Sequence, residues 1–300
     1  MIPPLLVARL DAYLREQLIG GEGAPVVDFS QPVGEPALAA ADSVSWRAFR
    51  NPLSLYIGGI TAVLMELAEP RVRSGVWEHT TFRDDPLRRM RRTGMAAMVT
   101  VYGARSISEK MIFGIGRMHA RIAGKTPDGV AYRADDPELL RWVHATALFG
   151  FMEAYHQFVC PLVPEERDRF VAEGVPAALL YGAMDPPSSE RDMTALFEGM
   201  LPHLERSEII FEFLSIMRRL PLFPLPLRPA NELMIRASVS LLPPLVRKQL
   251  GLDAGFRLPP GGRKILHLLG SCVDRLHLAS SPSTQASTRL GLDPDYLLGR

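Results

Sequence analysis

Cysteine is almost missing from this chain: Cys160 and Cys272 are its only two in 300 residues, and they stand far apart. That excludes a disulfide-stapled scaffold and a thiolate zinc module, and it makes a reducing cytoplasm the expected setting. Lysine is scarce as well, with Lys110, Lys125, Lys248 and Lys264 alone among 34 basic residues. Net charge is only +1, so overall electrostatics give no case for a nucleic-acid partner. Long apolar runs are lacking too. The longest uncharged one, residues 51–65, falls short of the roughly 20 residues a spanning helix needs and contains Gly58 and Gly59, so no membrane span is expected. The N-terminus, MIPPLLVARLDAYLRE, has no basic leader and no small-residue cleavage site, and reads as an amphipathic helix of a soluble protein. No Walker loop occurs, the glycines of YIGGI and FGIGR follow no strand, and LASSPS is not a nucleophile elbow. Nucleotide and hydrolase chemistry are thereby disfavoured.

What is present is helical periodicity, on a chain that is 47% hydrophobic. No stretch alternates with period two for more than a few residues. The pattern predicts an all-α fold, one domain over residues 1–300, built as a bundle of about eight to ten helices around a cofactor pocket. Helices are expected over residues 4–18, 52–68, 71–80, 86–102, 104–122 and 137–158. Further ones are expected after Pro164, near Ser189, and over 205–219, 230–248 and 262–278. The sharpest start signals are Asp85-Pro86 and Asp136-Pro137, each an acidic cap followed by proline in the first turn. Residues 220–229 read as a proline-stiffened connector and 280–300 as a loosely held tail.

Chemistry concentrates between Asp84 and His144. The helix from Pro86 carries RRMRRT, four arginines in six positions, with Arg89 and Thr93 on one face at i, i+4. The next helix carries His119 on a face with Ile112, Ile115 and Gly116, and Gly116 leaves room for a flat ring system one turn away. A third helix carries Trp142 and His144. A histidine facing apolar surroundings, beside a helix of cations, matches what a buried haem needs: imidazole for iron and guanidinium for propionates. The same residues admit a plainer reading, in which His119 is a core histidine bonded to backbone carbonyls and the arginines form a solvated face. Arg117 and Arg121 lie across the helix from His119, where they face solvent or reach a cofactor edge. His144 is a packing residue or a support for the cofactor. His79 with Glu78, and Glu153 with Tyr155 and His156, are the remaining metal candidates, and neither HxxxH nor CxxC spacing occurs.

Five segments in order, WRAFRNPLSLYIGGITAVLMELAEP, DDPLRRMRRT, GRMHARIAG, DGVAYRADDPELLRWVHAT and AYHQFVCPLVPEERDRFVAEG, resemble the catalytic domain shared by bacterial rubber oxygenase (latex-clearing protein) and the fungal mycophenolic-acid-pathway oxygenase. The resemblance covers roughly residues 44–190. It implies an all-helical fold holding haem b non-covalently, with His119 as the iron ligand and Arg89 and Thr93 on the oxygen side. Arg92, Arg117, Arg121 and His144 are then the further cofactor contacts. Two departures stand out. Arg92 takes the place of a lysine able to approach the iron, and guanidinium does not deprotonate in proteins. No counterpart of the family's catalytic glutamate is assigned, Glu78 being merely near in sequence.

The resulting expectation is a cytoplasmic, haem-dependent oxygenase that takes dioxygen and a small apolar substrate, unsaturated or terpenoid. A haem or apolar-ligand carrier or sensor without turnover is the alternative, and a helical interaction module without haem the third.

Overall fold

The computed structural model describes residues 7–9, 11–13, 27–221, 228–253 and 255–298. Its centre is a crossing of two helices, α2 (Pro52–Glu66) and α6 (Pro137–Phe158), with α1 (Val44–Phe49) leading into the first. Glycine makes this crossing possible. A Cβ on Gly58 would sit 2.6 Å from the Gly150 carbonyl oxygen, and one on Gly150 would press as hard on the Gly58 carbonyl. The glycines of YIGGI therefore serve backbone-to-backbone packing, which a bulkier side chain would prevent.

Around this pair run α3 (Pro70–His79), α4 (Pro86–Tyr102), α5 (Arg105–His119), α7 (Pro164–Tyr181), α8 (Glu190–Met200) and α9 (Glu208–Arg219). The chain then adds α10 (Arg228–Leu241), α11 (Pro244–Gln249), α12 (Gly262–Asp274) and α13 (Pro282–Arg289). The starts are set by local caps. Asn51 accepts from the Leu53 and Ser54 N–H groups, Asp85 from Arg88, Asp136 from Glu138 and Leu139, and Ser189 from Asp192. Proline in the first turn of α2, α3, α4, α6 and α7 costs nothing, because its missing N–H has no partner there anyway. The all-α expectation holds, and the described helices outnumber the eight to ten expected: α1 and α13 are short helices not expected, and the segment 230–248 divides in two.

Four differences from the sequence reading have physical causes. The single helix expected over 230–248 is two, α10 and α11, parted at Pro243-Pro244, where the ring removes an N–H and clashes with the preceding turn. The helix expected to reach residue 122 ends at His119. The chain then forms an antiparallel pair, β1 (Ala123–Lys125) with β2 (Ala131–Arg133), in the register Gly124 to Tyr132. Three residues a side are too few to leave an alternation in sequence. The segment 280–300 is anchored: α13 ends on Arg289, 1% exposed, whose guanidinium donates to the carbonyls of Phe29 and Glu35. The helix expected over 4–18 lies largely outside the described residues, of which 7–9 and 11–13 are helical, and most of the connector 220–229 lies outside them as well.

No single described helix is long and apolar enough to cross a membrane, although α2 and α3 together, bent by 112°, satisfy length and composition. In the structure α2 is a core helix, its Ile57, Ile60, Leu64 and Met65 buried.

Candidate functional site

Three helices bring the site together: the end of α2, the first half of α4 and the last turn of α5. Glu66 is the final residue of α2 and its sole charged side chain among fifteen residues. Its side chain is half-buried, and burial pushes its pKa from an ordinary 4.5 up to about 7, with the positive charge of Arg89 pulling the other way. Arg89, one turn into α4, is half-buried as well. Burial and the neighbouring Arg92 lower its pKa while Glu66 raises it, and its guanidinium donates no hydrogen bond to a described residue. His119 completes the group from α5. Burial chiefly, and then Arg89, push its pKa below 6.5, with Asp135 opposing. The ring is therefore neutral at pH 7, the form that ligates metals.

A Cβ added at Gly116 on α5, three residues before His119, would meet no atom within 4 Å, and the same holds at Gly94 on α4. Asp135 is itself engaged, accepting two hydrogen bonds from Arg133 at 2.9 Å. Arg89 thus lies close enough to both Glu66 and His119 for its charge to act on each, and joins an acid and a neutral imidazole carried by two other helices.

The other expected residues fall outside this group. Arg92 and Thr93 are exposed, and the Thr93 hydroxyl donates to the Arg89 carbonyl oxygen at 3.0 Å, closing its own helical turn. Arg117, on the outer side of α5, and Arg121, in the turn after it, are exposed, with the Arg117 guanidinium 5.1 Å from the Phe113 ring centroid. His144 is enclosed between α6 and α7. Its Nε2 has no hydrogen-bond partner among the described residues, it lies where a Cβ on Gly174 would come to 3.0 Å, and burial alone pushes its pKa down to about 4.

The alternative metal candidates are spent on structure. Tyr132 on β2 donates to Glu78 at 3.1 Å and lies 3.0 Å from His79 Nε2, which ties the β-hairpin to α3. Glu153 receives Arg167, and His156 Nδ1 accepts from the Leu162 N–H. No cluster of three or more His, Cys, Asp or Glu suited to a metal occurs among the described residues. Glu66 is the site residue that the sequence reading missed. Its signal was a lone carboxylate on an otherwise uncharged helix, which passes for an ordinary helix end.

With this geometry in view, the sequence matches the family described as ER-bound oxygenase mpaB/B'/Rubber oxygenase, catalytic domain, over residues 46–273. The chain belongs to that family of oxygenase catalytic domains. The match takes in α2 to α6 with the whole site and runs on through most of α12, well past residue 190. No curated protein and no solved structure matches the chain.

Proposed function

We propose that this protein is a haem-b-dependent oxygenase in which His119 holds the iron and the space between α2, α4 and α5 takes a small apolar substrate with dioxygen. One observation carries the reading: a half-buried Arg89 with no described hydrogen-bond acceptor acts on a neutral His119, within a domain of an oxygenase family. A guanidinium partly withdrawn from water favours an anion beside it, so a propionate or charge developing on the oxygen side suits it as a partner. Arg92, Arg117 and Arg121 face solvent and suit that role less well. Haem, when bound, supplies the oxygen and redox chemistry.

The chain's own groups then have distinct tasks. Glu66, poised at about 7, holds or releases a proton near neutral pH, and the Arg89 charge beside it favours release. The apolar walls of α2 and α4 exclude water and receive the substrate. Thr93 remains at the rim, and its acceptor lone pairs stay free while its proton is bonded to the backbone. That engaged hydroxyl favours a second reading, a haem-binding carrier or sensor without turnover. His144 supports the cofactor side through its packing against Gly174. Two free cysteines, Cys160 and Cys272, are in keeping with a cytoplasmic setting.

Oxygen uptake by haem-reconstituted protein, with a panel of unsaturated apolar compounds, separates the readings. Uptake with product supports the oxygenase. Spectral shifts without uptake support the carrier.

A further inference from the structure

The net charge of +1 hides a strong asymmetry. Residues 86–125 contain nine arginines and lysines against one acidic residue, Glu109, so the stretch from the start of α4 to the end of β1 carries +8 while the rest of the chain is net acidic. Its two helices, α4 and α5, are in contact. Arg88 and Arg92 in the first half of α4, Arg117 in the last turn of α5 and Arg121 just past it are all exposed, and none is in a described ion pair. The acid that acts on His119, Asp135, is already bonded to Arg133.

Hydrophobic side chains stand among these charges. Phe113 is 67% exposed and Met118 43% exposed, and Phe113 shares the outward face of α5 with Lys110 and Arg117. An exposed phenyl ring costs free energy in water, and stacking one guanidinium on it leaves most of the ring uncovered. A large exposed ring flanked by cations on one helix face is what an anionic bilayer surface binds: headgroups pair with the basic groups while the ring enters the acyl boundary.

We infer that the outer face of α5 docks on anionic lipid membranes, with Phe113 inserted and Lys110, Arg117 and the exposed arginines nearby on the headgroups. This goes beyond the oxygenase reading and stands without it, since it concerns the surface and not the group around Arg89. It also places α5, which carries His119, against the phase in which apolar molecules dissolve.

The test is co-sedimentation of the full chain with vesicles of phosphatidylcholine, with and without one third phosphatidylglycerol. Binding is expected only to the anionic vesicles and weakens with salt. Lys110→Glu lowers it by at least about fivefold, and Phe113→Ser by about tenfold, both with unchanged circular dichroism and thermal unfolding. Equal binding to neutral vesicles, no binding to either, or full binding by both variants overturns the proposal. So does retention on nucleic acid, or on an acidic protein partner, in place of vesicles. Loss of a dimer in Phe113→Ser without loss of vesicle binding assigns the ring to self-association and overturns it too.

Discussion

Removing the charge of Glu66 should expose an opposition between two buried groups. Burial raises Glu66 from 4.5 to about 7, so the folded state favours its neutral form. The stability this group contributes is complete below 4.5 and is lost as pH rises towards 7. Burial lowers His144 from 6.5 to about 4, which again favours the neutral form. Its contribution is complete above 6.5 and is lost as pH falls towards 4. Each displacement spans roughly 2.5 pH units, and at 1.36 kcal/mol per unit each is worth about 3 kcal/mol. Between pH 4.5 and 6.5 the two slopes have opposite sign and similar size. His119, also pushed down, adds a slope of the same sign as His144. In Glu66→Gln the falling slope disappears, so stability relative to the parent should rise by about 2 kcal/mol between pH 4.5 and 6.5. In His144→Gln the change has the opposite sign, and the double variant restores the parental pH profile. Urea unfolding of the haem-free protein at a series of pH values measures this, since groups common to parent and variant cancel in the difference. A Glu66→Gln difference independent of pH would show that the carboxyl is not held neutral by burial, and the reasoning fails.

Gly58→Ala and Gly150→Ala each drive a methyl into backbone with nowhere to move. Each should cost at least about 1–3 kcal/mol and lower the thermal midpoint by several degrees, whereas Gly94→Ala, facing open space, should fold as well as the parent. Arg289→Met leaves the Phe29 and Glu35 carbonyls without their donor and should destabilise by roughly 2–4 kcal/mol; a neutral result would mean the tail is not anchored through this residue. Tyr132→Phe removes the link to Glu78 and His79, and should cost about 1 kcal/mol and speed amide exchange in the 123–133 hairpin, with oxygen uptake little changed.

Local signals were legible and long-range ones were not. Asp85-Pro86, Asp136-Pro137 and Ser189 mark helix starts because a cap and its helix lie within four residues of each other. The break at Pro243-Pro244 was legible too, but an apolar pattern continuing on both sides concealed it. The burial of Arg289 depends on carbonyls more than 250 positions away, so no local reading of 280–300 finds it. The candidate site divides the same way. His119 and Arg89 stand on the expected helices, and each carries a pattern of its own. That Arg89 is half-buried while Arg92 on the same helix is exposed depends on which neighbours α4 meets, and no local pattern states that. Glu66 joins the site through the same packing, with only its isolation on an apolar helix to announce it.

The most direct test of the oxygenase reading is an absorbance spectrum of haem-supplemented protein, reduced and then exposed to carbon monoxide, for the parent and for His119→Ala. A Soret band that shifts with carbon monoxide in the parent, and is lost or displaced in the variant, is the predicted result. A parent without a Soret band, or a variant whose spectrum is identical to the parent's, contradicts His119 as the iron ligand.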